Sequence, residues 1–189
     1  MTDNFHQIAT LLKFEDEHEF YFLQIIQRGK DTNTTGNRLI RYYCIFSMAQ
    51  FVGYADEIKK LCEAFCARAY IHLNRRDARH IGIDMLTDIA ERIRTSNFSH
   101  LHRIHSTACG RYGHKKDKSW VIDIDGEASV DKIVAGIAQL QPVGDKFVAK
   151  IPTKSGCHLI THPFNTAEFA KLYPQVDVHK NNPTVLFIP

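Results

Sequence analysis

Apolar and aromatic residues fall in short runs separated by turn formers, the pattern of a chain built from several strands and a few amphipathic helices. After an amphipathic opening at Phe5, Ile8, Leu11 and Leu12, residues 19–28 and 38–46 are rich in aromatic and branched side chains, with turn formers filling 29–37 between them. An antiparallel strand pair is predicted there. Ile58, Leu61, Cys62 and Phe65 have helical spacing within 54–66, and the apolar run 68–73 is a strand ending at Asn74. Residues 77–94 predict an amphipathic helix with acids near its start and Ile81, Met85, Leu86, Ile89 and Ile93 on one face. Residues 96–118 show no period and are expected to form a long loop.

A strand over 120–124 carries Asp123 and Asp125 at its end. Ser129 is placed to cap a helix with Ile133, Val134, Ile137 and Leu140 as its buried stripe. Residues 146–152 and 157–161 predict two strands joined by 153–156, Asn165 with Glu168 suggests a capped short helix, and 184–188 a last strand. The expected fold class is α+β: a mixed, mainly antiparallel sheet with flanking helices.

With 189 residues, 44% hydrophobic and 24% charged, the chain can bury a core of its own, and a single domain over 1–189 is the expectation. The formal charge is only +3, so any nucleic-acid surface must be local. The most apolar stretch, 42–55, is broken by Ser47, Gln50 and Gly53 and falls short of the roughly 20 residues that cross a bilayer, so no membrane partner is expected. No secretory pattern opens the chain and its five cysteines are odd in number, which points to a reduced, cytoplasmic protein.

Three features could carry chemistry. In Trp120-Val-Ile-Asp-Ile-Asp125-Gly, two acids separated by one residue on an extended segment project from one face roughly 7 Å apart at their backbones. They suit a hard divalent cation, or Asp125-Gly126 simply begins a turn and Asp123 makes a surface hydrogen bond. Pro152-Thr-Lys-Ser-Gly-Cys-His158 offers backbone N–H groups, a hydroxyl, an ammonium and an imidazole. That suits phosphate, with Gly156 permitting close approach, or it is a plain hairpin. Asp177, ahead of Asn181-Asn182-Pro183, is either a third metal ligand or a solvated acid.

Taken in this order, the three resemble the signature of the archaeo-eukaryotic primase (primase-polymerase) superfamily, in which a D-x-D strand is followed by S-x-H and then a strand acid. Asp123 and Asp125 match the first; Ser155-Gly156-Cys157-His158 is similar to the second with one extra spacer residue; Asp177 matches the third. Tyr70-Ile-His-Leu-Asn74-Arg-Arg also looks like the segment ahead of the metal motif in small phage and plasmid members. The resemblance implies an RRM-like catalytic core over 67–189, with 1–66 as a ββα segment packed on it. It further implies nucleotidyl transfer to a primer or starting strand on a nucleic-acid template, supported by two Mg²⁺ or Mn²⁺ ions on Asp123, Asp125 and Asp177. Lys154, Ser155, Gly156 and His158 would hold the nucleoside triphosphate. A replication helicase or other replisome protein would be a partner.

Arg111, Tyr112, Lys115 and Lys116 could track a nucleic-acid backbone, with Tyr112 stacking on a base, and Arg75 and Arg76 could hold template. Each group also fits an ordinary solvated surface. His100, His102, His105, Cys109 and His114 invite a zinc reading, although only one cysteine lies among them. Two other functions stay open: a noncatalytic nucleic-acid- or partner-binding module on the same scaffold, and a metal-dependent nuclease or phosphohydrolase.

Overall fold

The computed structural model describes residues 1–111, 118–126 and 129–189. Their strands form two sheets. The larger contains β1 (Thr2–Asp3), β2 (Glu19–Gln27), β3 (Arg38–Ile45), β4 (Arg68–Ile71), β5 (Arg76–Asp77) and β10 (Thr184–Ile188), ordered β1-β10-β4-β2-β3 with β5 also on β2. The smaller is ordered β7-β8-β6-β9, from β6 (Trp120–Asp125), β7 (Phe147–Pro152), β8 (Gly156–Thr161) and β9 (Asp177–His179). Every described pairing is antiparallel, in keeping with the α+β, mainly antiparallel expectation, but the strands divide into two sheets instead of one. Apolar periodicity marks strands but does not say which strands pair.

Strand β2 explains its own composition. Tyr21, Leu23 and Ile25 enter the main core, whereas Phe20 and Phe22 enter a second cluster with Ile81, Ala108 and Cys109. A strand covered on both faces reads as a nearly continuous apolar run. Because β2 pairs with β3, β4 and β5, residues 1–66 contribute strands to the larger sheet. Helices α1 (Phe5–Ala9), α3 (Met48–Gly53) and α4 (Ala55–Ala64) cover the main core with Phe5, Ile8, Phe51, Ile58 and Cys62; α2 (Gly29–Thr32) is a single turn.

The two sheets share that core: Val121, Ala149, Ile151 and Ile160 of the smaller meet Leu23, Ile25, Ala69, Ile71 and Leu186 of the larger. The opposite face of the smaller sheet, with Ile122, Ile124, Cys157 and Leu159, packs on α7 (Val130–Gln139) and α8 (Thr166–Leu172). In α8 the expected cap is present, Asn165 Oδ1 accepting from the backbone N–H groups of Ala167 and Glu168. Ser129 precedes α7 without a capping hydrogen bond from its side chain.

Two helical expectations change. Asp77 caps α5 (Ala78–Arg94) and no acid lies in its first turn. Of its expected apolar stripe only Ile81 is buried, while Leu86 and Ile93 are 69% and 62% exposed. The stretch expected as a loop holds a 3₁₀ turn, Leu101–Arg103, and helix α6 (Ile104–Arg111). Helix α6 buries only Ile104, Ala108 and Cys109, too thin a stripe to register as periodic. Among the described residues no helix is long and apolar enough to cross a membrane.

Candidate functional site

Alternation along β6 builds the site. Ile122 and Ile124 point to α7 and α8, so Val121, Asp123 and Asp125 share the other face. In the strand register Asp123 lies opposite His158 on β8 and opposite Asp177 on β9, while Asp125 lies opposite Gly156. Direct antiparallel partners share a face. His158, Asp123 and Asp177 therefore form one row across three strands, next to the row in which Val121 faces Ile160 and His179. Val121 and Ile160 of that second row are buried between the sheets, and the polar row opens into a cleft.

Two hollows meet at Asp123 and His158, one of about 300 Å³ and one of about 260 Å³. The larger is lined by Asp123, Asp125, Lys154, Ser155 and His158, faced by Arg28, Lys30, Asp31, Arg68 and Tyr70. Asp123, Asp125 and Asp177 also line a smaller recess with Gln175. Arg68 is ion-paired with Asp31 at 2.6 Å. Among the described residues, Arg28, Lys30 and Lys154 have no carboxylate at ion-pair distance. Cations thus face the acids across the cleft.

His158 joins the two sheets. Its Nδ1 lies 2.9 Å from Thr184 Oγ1 on β10 and its Nε2 3.5 Å from Asp123 Oδ1. Burial holds its pKa below the ordinary imidazole value, with Asp123 pulling it up and His179 pushing it down. A neutral ring protonated on Nε2 fits both neighbours: Nδ1 accepts from the Thr184 hydroxyl and Nε2–H faces Asp123. Ser155 donates to Asp125 Oδ1 at 3.2 Å, which orients that carboxylate instead of leaving the hydroxyl free.

Gly156 has a packing task. A Cβ there would stand 2.0 Å from the Ile124 carbonyl oxygen, so its missing side chain lets β8 approach β6. Arg76 is corrected. It is wholly buried, donating to the carbonyls of Cys109 and Asn74 and to Asn181 Oδ1, with Nη2 2.9 Å from His72 Nδ1. Arg75 is held by Glu15 and Glu19 at 3.1 and 2.8 Å with little exposure. Neither guanidinium presents itself to a nucleic acid. Arg111 is exposed and paired with Asp88 at 3.2 Å. Tyr112, Lys115 and Lys116, along with His114, lie outside the described residues.

No family model, curated protein or solved structure matches the chain. The site therefore rests on its own geometry. Sequence reasoning missed Arg28, Lys30, Arg68 and Thr184; the one local signal was a charge, Arg68, at the head of an otherwise apolar strand. It also missed a groove of about 700 Å³ lined by Arg38, Arg41, Tyr42, His102 and Arg103 between β3 and the start of α6. Among the described residues the trio of histidine, cysteine or acidic side chains whose ligand atoms all lie within 4.8 Å of one another is Cys44, His105 and Cys109. The three aspartates are aligned but not gathered into such a cluster.

Proposed function

We propose that the protein is a metal-dependent nucleotidyltransferase of the primase-polymerase type, acting on a primer or starting strand along a nucleic-acid template. The observation that carries this reading is the row His158–Asp123–Asp177 with Asp125 beside it: Asp123, Asp125, His158 and Lys154 line one hollow faced by Arg28 and Lys30, and the three aspartates line an adjoining recess.

The donor set fits a hard divalent cation. Asp123 and Asp177 are direct cross-strand partners, and like charges so placed repel, a cost that a cation between them removes. Carboxylate oxygens suit Mg²⁺ or Mn²⁺. Asp123, Asp125 and Asp177 would hold the ions, which supply charge neutralisation at the triphosphate and activation of the attacking hydroxyl.

The chain's own residues do the rest. Lys154, Arg28 and Lys30 bind phosphate oxygens, and the Lys154 turn places its ammonium at the mouth without anchoring it elsewhere. His158, fixed through Nδ1 by Thr184, offers Nε2–H to a phosphate oxygen once Asp123 engages a cation. Ser155 keeps Asp125 turned toward the cleft. The Arg38, Arg41 and Arg103 groove supplies a path for a nucleic-acid backbone, so binding there weakens as salt rises.

The test is incubation of the full chain with labelled nucleotides, a primed template and Mn²⁺. Extension in the wild type and none in the Asp123→Asn, Asp125→Asn double variant is expected. Shortened strands instead of extended ones would move the assignment to a nuclease, and equal signal in both proteins would exclude this site.

A further inference from the structure

The sequence places His105 and Cys109 one helical turn apart on α6, and the fold brings Cys44 of β3 up to them. All three ligand atoms lie within 4.8 Å of one another. Cys109 Sγ is 3.7 Å from His105 Nε2 and 3.9 Å from Nδ1. Two ligands held about 2.3 Å (sulfur) and about 2.05 Å (nitrogen) from an ion at a tetrahedral angle stand about 3.6 Å apart. The Sγ–Nε2 spacing matches that figure, and the nearly equal distance to Nδ1 means that the His105 ring turns to aim its lone pair at an ion.

Supporting groups are in place as well. Tyr42 Oη lies 3.1 Å from His105 Nδ1, with the two rings stacked at 5.4 Å; when Nδ1–H donates to that oxygen, Nε2 keeps its lone pair for an ion. Arg76 donates to the Cys109 carbonyl at 2.9 Å, which fixes the backbone at this end of α6.

We propose that Cys44, His105 and Cys109 form a zinc site that fastens α6 to the central sheet, with the fourth position taken by solvent. Two thiolates and an imidazole are soft-to-borderline donors that select zinc over the hard cations suited to the aspartates. Helix α6 buries only Ile104, Ala108 and Cys109, and the cluster beneath it is the smallest of the three apolar cores. A metal bond across that contact supplies stability which apolar area there cannot. The inference is independent of the nucleotidyltransferase reading.

Cobalt(II) titration of the full, reduced chain tests it, since tetrahedral thiolate cobalt has strong visible bands and a sulfur-to-cobalt charge-transfer band. One cobalt per chain, displaced by zinc, is expected, together with a melting temperature that rises with added zinc. The bands disappear in Cys44→Ser and in Cys109→Ser. In His105→Gln, the change least disruptive to packing, binding weakens by at least on the order of 100-fold, and in Tyr42→Phe by about 10-fold. They persist in Cys66→Ser and Asp123→Asn; circular dichroism confirms that each variant is folded. A wild type lacking these bands, folded His105→Gln with unchanged affinity, or protein isolated with a Cys44–Cys109 disulfide and no metal would overturn the proposal.

Discussion

Replacing Arg76 by Leu separates a structural arginine from a nucleic-acid contact. Its guanidinium is fully buried and satisfies two backbone carbonyls, those of Cys109 and Asn74, as well as the Asn181 side chain and His72. Leucine fills much of the volume but donates nothing, and each stranded buried acceptor costs about 1–3 kcal/mol. Side chains at 72 and 181 can turn to other partners, whereas the two carbonyls cannot. Relief from burying a charge offsets part of the loss, leaving a destabilisation of about 3–5 kcal/mol. For a chain of this length that is a fall in melting temperature of roughly 10 °C. Urea unfolding followed by circular dichroism reads it directly, and Arg76→Lys, which keeps the charge but not the planar fork, falls in between. A loss below about 1 kcal/mol in Arg76→Leu, accompanied by weakened nucleic-acid binding, would refute the assignment and return this residue to the surface.

Acid should destabilise the fold through His72, whose pKa is pushed down to about 3 by burial and by the Arg76 charge. Between the unfolded value near 6.5 and that folded value the unfolded chain binds the extra proton, so stability falls as pH drops, by roughly 3 kcal/mol from pH 7 to pH 4. His158, also shifted down by burial, adds in the same direction. Urea midpoints across this range check the slope, and a flat profile would contradict it. Gly156→Ala must displace the Ile124 carbonyl or β8 itself, costing about 1–3 kcal/mol by denaturation and disturbing the Asp125–Ser155 pair. Lys154→Ala, at a solvent-facing turn, should leave melting unchanged and raise the KM for nucleotide by roughly 10-fold, the effect of losing one charge-assisted hydrogen bond; an unaltered KM would remove Lys154 from the phosphate site.

Runs of aromatic and branched residues between turn formers made β2, β3, β7, β8 and β10 legible in the sequence, and the two-residue repeat of a strand placed Asp123 and Asp125 on one face. What a single sequence hides is which strand lies beside which. Asp177 gains its place opposite Asp123 from a strand of three residues, too short to carry a pattern of its own. Arg28, Lys30 and Tyr70 reach the cleft only because the larger sheet is folded against the smaller. The pair Arg75-Arg76 reads as surface charge until tertiary structure buries one and clamps the other in ion pairs. Cys44 has no local mark of a ligand, since its partners stand on a helix far along the chain whose weak stripe reads as a loop. In each case a nonlocal contact decides what the residue does.

The carboxylate row is tested most directly by titrating the protein with Mn²⁺ while the paramagnetic resonance of the free ion is recorded, with and without a nucleoside triphosphate. The wild type should withdraw Mn²⁺ from solution, more tightly with nucleotide present, and Asp123→Asn and Asp177→Asn should each abolish that uptake while remaining folded. Uptake by both variants equal to the wild type would contradict the account.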